Sequence, residues 1–395
     1  MKKLLNNKAH YGEMKTKKTK TAPSVLFYCD SQTNSDLFYL GRIFIPDAFL
    51  AFTQRGKSYA VVSALEYGRT KEDSTFDEVL SLETVREQAA KALRRKHVET
   101  AHIVKYLAKI YEIPSFRLHP DTPASLVVGL QSAEVPFEVG EHPFFPESLV
   151  KTDEEAKAIA HANKISSAGI RAAIHALEDA KIKHGKLYLK DELLTSERMR
   201  MLIEVACLEA GGTGDCIAAG GNQACDPHCF GSGPLRPNEL IIVDVFPRDK
   251  KSGYYGDMTR TFLKGRANEV QKEFVAVVKE AHKRAIDAVK PRIKASKVHA
   301  AAKDFFDERG CETGIEKGKH YGFFHSTGHG LGLGLHEPLR ISQESTLTLK
   351  KGMVFTIEPG LYYPGLGGCR IEDVVQVTKE GSKLLSSLHY KWEIR

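Results

Sequence analysis

An aspartate inside an apolar run limits what this chain can become. Leu240-Ile-Ile-Val-Asp-Val-Phe246 reads as a buried strand, and Asp244 sits within it. An ionised carboxylate in such a place is costly unless it is paired or bound to a cation, so the fold must bring Asp244 a partner. In the next strand-like run, Tyr255-Gly-Asp-Met-Thr-Arg-Thr-Phe262, a period of two puts Asp257, Thr259 and Thr261 on one face. With the two strands neighbours in a sheet, Asp257 is expected to face Asp244.

Three later segments carry matching chemistry. In His325-Ser-Thr-Gly-His-Gly-Leu-Gly-Leu-Gly-Leu-His336, glycines between three histidines let the backbone pass close to a site. A phosphate-cradling loop is the rival reading, but the segment does not join a strand to a helix in a βαβ unit. Glu358 ends Met353-Val-Phe-Thr-Ile-Glu358 at a Pro-Gly turn. Glu372 lies in Cys369-Arg-Ile-Glu-Asp-Val-Val375, where Arg370 and Glu372 share a face and Asp373 points away. Each acid alone reads as an ordinary surface residue. As a set, Asp244, Asp257, Glu358 and Glu372 in one pocket would repel by about 4 kcal/mol per close pair at an effective dielectric of 20. Two divalent cations balance those four charges, and a neutral His329 adds a nitrogen ligand suited to a transition metal rather than to calcium.

With 395 residues, 42% of them hydrophobic and 27% charged, the chain can bury the core of a two-domain protein. Its formal charge of +7 is concentrated in the first twenty residues, which hold seven lysines against one glutamate, so the remainder gives no reason to expect nucleic acid. No stretch has the length of a membrane span, and the basic start lacks a secretory apolar core; a cytoplasmic protein is expected. Residues 1–22 read as a disordered basic tail. From 23 to 150, runs such as Ser24–Cys29 and Tyr59–Ser63 alternate with helical patterns, notably over 83–112, as in a compact α/β domain. Thr152-Asp-Glu-Glu155 is a capping box opening a helix, and residues 151–395 form a second domain. There strands at 240–246, 254–263, 353–358 and 369–378 and helices at 269–290 and 296–309 fall in separate blocks, which favours α+β. Asn268 and Ser296 are the expected N-caps, with Pro291 and Gly310 as stops. Four of the seven cysteines (Cys207, Cys216, Cys225, Cys229) cluster near His228, yet no CxxC pair occurs, which favours reduced thiols over a zinc knot.

The order Asp, Asp, His, Glu, Glu, in the contexts IIVDVF, YGDMTRT, HSTGHGLG, FTIEPG and CRIEDVV, resembles the creatinase/methionine-aminopeptidase metallopeptidases, and the IEDVV ending and extra domain are closer to the aminopeptidase P and prolidase branch than to the methionine aminopeptidases. The resemblance implies a C-terminal pita-bread catalytic domain after a smaller creatinase-type α/β domain. It implies that Asp257 and Glu372 bridge two divalent metal ions, Asp244 completing one and His329 and Glu358 the other. Manganese is favoured, with cobalt, zinc and iron compatible. Thr259 supports the ligands, His228 and His336 contact substrate or shuttle protons, and His325 and Arg370 support them. The activity implied is a metal-assisted Xaa-Pro aminopeptidase, with Glu358 as general base, acting on peptides with proline at the second position. The alternatives are a prolidase confined to Xaa-Pro dipeptides, a metal-free creatinase-like enzyme and a non-catalytic homologue. A homodimer is also expected. The thirteen residues from Asp244 to Asp257 exceed the usual spacing, so a longer loop is expected at Pro247–Gly253.

Overall fold

The structure, a computed structural model, describes residues 23–395, and the chain divides into two compact units between Glu141 and His142. The basic tail expected at 1–22 lies outside the described residues. In the first unit a six-stranded mixed sheet runs in the order Glu78–Ser81, Lys57–Val62, Phe49–Gln54, Ser24–Cys29, Phe116–Leu118 and Phe137–Val139. The inner three strands pair antiparallel and the outer three join in parallel through helical crossovers, as parallel strands require. Phe52 stacks on its cross-strand partner Tyr59, ring centroids 4.7 Å apart, and helix Thr100–Ile110 buries Val104 and Leu107 in the same core. The helical pattern over 83–112 divides into Leu82–Leu93 and Thr100–Ile110. Arg94 ends the first helix in the left-handed region (φ 53°), and a Glu99–His102 capping box starts the second.

The second unit opens with helix Asp153–Asp179, whose Thr152–Glu155 capping box is complete in both directions. This helix and Ser196–Glu209 share a core with a sheet ordered Cys216–Gly220, Ile241–Val245, Met258–Lys264 and Glu393–Ile394. Helices Glu269–Ala288 and Ala295–Glu308 share another with the sheet Glu337–Ile341, Gly328–Gly330, Val354–Ile357, Asp373–Val377 and Ser382–Leu384. Helices are thus segregated from strands in an α+β arrangement. Asn268 is an N-cap as expected, but Ser296 is not. An isolated bridge from Lys294 to Thr348 and the Ala295 N–H bond to the Leu347 carbonyl carry extended chain up to Lys294, so the cap falls on Lys294, two residues before Ser296. All seven cysteines are free, with Cys207 and Cys216 buried in the apolar core. Among the described residues no helix is long and apolar enough to cross a membrane.

One segment joins the two sheets. The strand expected over 369–378 is broken: Gly367–Arg370 pairs with Gly360–Tyr363, whereas Asp373–Val377 enters the five-stranded sheet. At the break, Glu372 N–H donates to the Thr259 carbonyl (3.1 Å), and Thr261 Oγ1 both donates to the Arg370 carbonyl (2.9 Å) and accepts its N–H (3.0 Å). Beneath it Arg260 donates to the Glu372 carbonyl (2.6 Å) and to Asp373 Oδ1 (2.9 Å), which also accepts from Ser386 (2.6 Å). Arg260 and Asp373 are both buried. Removing one partner of a buried pair strands the other charge, so Asp373→Ala is expected to cost about 3–5 kcal/mol. Urea unfolding checks this, and a loss below about 1 kcal/mol would show that the strut contributes no more than a surface pair.

Candidate metal centre

Asp244 is the fourth residue of Ile241–Val245, a strand buried along its whole length and made of β-branched residues apart from the aspartate itself. Its cross-strand partner is Thr259, and Asp257 lies one residue before strand Met258–Lys264. The two aspartates therefore sit diagonally rather than in register, and both line one cavity, as facing neighbours would. The cause is the tight approach at Gly256. A Cβ there would come within 2.4 Å of the Ala162 carbonyl oxygen, and Asp257 N–H donates to Asn163 Oδ1 at 3.2 Å. Helix Asp153–Asp179 thus clamps the chain just ahead of Asp257. Part of the long loop expected before it forms a two-stranded ribbon, Arg248–Asp249 with Gly212–Thr213.

His329 enters on strand Gly328–Gly330, where a Cβ on Gly328 would overlap the Thr356 carbonyl oxygen at 1.8 Å; only glycine lets the strands close there. His329 N–H donates to Thr356 Oγ1 (3.1 Å), whose own hydroxyl reaches Glu358 Oε1 (3.3 Å). His329 Nε2 lies 3.6 Å from Asp257 Oδ2 and 3.5 Å from Glu358 Oε1. Thr259 Oγ1 donates to Glu372 Oε2 at 2.7 Å. One ligand atom each from the buried Asp257, His329 and Glu372 lies within 4.8 Å of the others.

The electrostatics suit cations. Burial, followed by the charges of Asp244 and Glu358, holds Asp257 well above the usual carboxylate range, and burial with Asp257 does the same to Glu372. Glu358 is pushed up to about 7 by burial, with Arg370 opposing and Asp244 assisting. Burial drops His329 to about 3, leaving a neutral imidazole able to ligate. Arg370 Nη2 donates to Asp244 Oδ2 (2.8 Å), while Asp244 Oδ1 is buried without a hydrogen-bond partner. An orphaned, inward carboxylate oxygen beside three further carboxylates and a neutral imidazole is a donor set that divalent transition-metal ions satisfy.

The expected ligands and substrate-contacting side chains line one cavity of about 800 Å³: Asp244, Asp257, His329, Glu358 and Glu372 with His228, His325, His336 and Arg370; Thr259 lies behind it, on Glu372. His228 and His336 are exposed at its rim, and the His336 ring meets that of His329 edge-on at 4.4 Å. His325 is set back. Its Nδ1 faces the Ser326 carbonyl (2.8 Å) and its Nε2 the Tyr362 hydroxyl (2.9 Å), which also accepts from Arg370 Nη1 (3.0 Å). The donor order follows: Arg370 to Tyr362, Tyr362 to His325, His325 to Ser326. It requires a neutral imidazole, consistent with burial lowering His325 to about 3. Tyr362, Arg340 and the apolar walls Phe230, Phe246 and Phe324 were not singled out from the sequence. Tyr362 lay hidden in the short run Gly360–Tyr363, and its one signal was a polar tip in a buried strand.

The model for metallopeptidase family M24 matches residues 157–379. The Xaa-Pro dipeptidase of Pyrococcus furiosus is 36% identical over 241 residues, covering 60% of this chain and 63% of that protein, so just under two-thirds of the relative's length is spanned. Among solved structures, the prolidase from Pyrococcus furiosus superposes with a TM-score of 0.74 at 27% identity, over 93% of this chain and 97% of that one. The X-Pro aminopeptidase from Thermotoga maritima gives 0.77 at 22% identity, over 94% and 97%, a likeness of fold.

Asp257 belongs to the close triad and Asp244 does not, which gives their amides different consequences. Titrating Mn²⁺ into chelator-stripped Asp244→Asn should retain one tight ion per chain, whereas Asp257→Asn should weaken all tight binding. One tight ion in Asp257→Asn and none in Asp244→Asn would exchange the two roles.

Proposed function

The chain belongs to metallopeptidase family M24, and from that premise we propose that it is an Xaa-Pro dipeptidase, releasing proline from a two-residue peptide. The observation that carries the reading is the buried Asp257–His329–Glu372 set in a cavity that also presents the exposed Arg340. The sequence alone favoured an Xaa-Pro aminopeptidase. The curated Pyrococcus furiosus relative is named a dipeptidase, and Arg340 supports the same choice. It forms no salt bridge among the described residues, its charge reaching Glu358 only through space, and a guanidinium so placed suits the carboxylate that a dipeptide carries on its proline.

In this reading Asp244, Asp257, His329, Glu358 and Glu372 would hold a pair of divalent ions, Mn²⁺ being favoured, with Asp257 and Glu372 available to both, Asp244 to one, and His329 and Glu358 to the other. When bound, such a pair supplies Lewis acidity toward the scissile carbonyl and toward water. Glu358 would take the proton of the attacking water and give it to the leaving proline nitrogen. His228 and His336, exposed beside the centre, hydrogen-bond the peptide and steady the oxygen on which charge develops. Arg370 holds Asp244 Oδ2, which leaves Oδ1 available to ligate an ion; Tyr362 and His325 keep Arg370 in place.

Metal-loaded protein is expected to cleave Ala-Pro faster than Ala-Pro-Ala, to lose activity to a chelator and to regain it with Mn²⁺ or Co²⁺. Arg340→Met should raise KM for Ala-Pro by about tenfold, the scale of a lost charge-assisted hydrogen bond, with a smaller effect on the tripeptide. Faster tripeptide cleavage, insensitive to Arg340→Met, would favour the aminopeptidase instead.

A further inference from the structure

A second cavity, of about 390 Å³, shares Asp226, Pro227 and Phe324 with the metal-site cavity. Its other walls include Lys319 and His320, carried by strand Lys319–Tyr321 in a hairpin with Gly314–Glu316. The hairpin is fixed in place: Gly322 and Tyr362 exchange N–H···O bonds of 2.9 and 3.2 Å, and the His320 ring lies 5.5 Å from that of Phe324. Lys319 and His320 are therefore held beside the metal-site cavity rather than on a free loop.

The donors lining this cavity are uncommitted. Lys319 is exposed and has no acidic partner among the described residues. Asn222, also in the lining, accepts the Gly365 N–H on Oδ1 at 2.7 Å, which leaves its Nδ2 group to donate. The carboxylate present, Asp226, lies in the wall common to both cavities, and its Oδ1 accepts the His228 N–H at 3.1 Å. An ammonium, an amide donor and an imidazole around one space form a receptor for an anion.

We propose that this cavity is an accessory substrate subsite that receives a carboxylate through Lys319, Asn222 and His320. The proposal rests on the peptidase reading. The carboxylate has two sources: the side chain of an acidic N-terminal residue, or the C-terminus of a peptide longer than two residues. Because Lys319 is exposed, its contribution is screened by salt and modest in size, about fivefold in kcat/KM at low ionic strength.

The test compares kcat/KM for Glu-Pro with Gln-Pro, and for Ala-Pro-Ala with its C-terminal amide, in wild type, Lys319→Met and Lys319→Glu. In at least one pair the wild type should favour the carboxylate by more than Lys319→Met does, the difference being about fivefold and lying in KM, with Lys319→Glu shifting the ratio further toward the neutral substrate. A response in the first pair assigns the subsite to the N-terminal side chain, and one in the second to the chain end. Ratios identical in all three proteins, with the peptides still cleaved, overturn the subsite and leave the proposed function standing. No cleavage of any of the four by metal-loaded wild type overturns the function and the subsite with it.

Discussion

Three buried carboxylates and a half-buried fourth, crowded into one cavity, dominate the C-terminal unit. Asp244, Asp257, Glu358 and Glu372 share one cavity, and burial with mutual repulsion lifts Asp257, Glu358 and Glu372 above the carboxylate range. The protein does not neutralise them with a matching set of cations; Arg370 takes one oxygen of Asp244 and leaves the other orphaned. The remaining supports are hydroxyls, Thr259 on Glu372 and Thr356 on Glu358. Each occupies one oxygen and leaves the other for an ion, an arrangement that orients ligands as outer partners do at metal sites.

That constraint accounts for features of the scaffold that are otherwise expensive. Two aspartates come from one helix-backed sheet, and His329 and Glu358 from the other or its end. Glu372 lies where the chain leaves one strand and enters the next, with its backbone bonded to Thr259. The buried Arg260–Asp373 pair braces this junction, so a charge that adds nothing to the cavity directly holds the segment carrying a ligand. Gly256 and Gly328 act alike. Each allows a backbone approach that a side chain would prevent, directly beside Asp257 and His329 respectively.

The chemistry was more legible in the sequence than the local geometry. An aspartate within Ile241–Val245 is conspicuous because every neighbour in the strand is apolar, and glycines around His329 mark close packing. Alternation could not reveal that Asp257 precedes its strand, because the clamp comes from Ala162 and Asn163, far away in the chain. Nor could it reveal the break before Asp373, where Cys369–Val375 reads as one continuous strand until Thr259 competes for the Glu372 backbone. Local capping rules found Thr152 and Asn268 but misplaced the cap at Ser296, where the distant Leu347 and Thr348 decide. Tyr362 and Arg340 escaped notice because single polar residues in short strands carry no pattern; their roles come from partners that the fold supplies.

The most direct test of this electrostatic account is the number of protons released when a divalent cation binds. Calorimetric titration of chelator-stripped protein with Mn²⁺, repeated at pH 7 in buffers of different ionisation enthalpy, measures it. Carboxylates held above their usual range retain protons in the metal-free state and must lose them to ligate. The account predicts tight binding with net release of at least about one proton per chain. Tight binding with no proton release would contradict it, because the four carboxylates would then already be ionised without their cations.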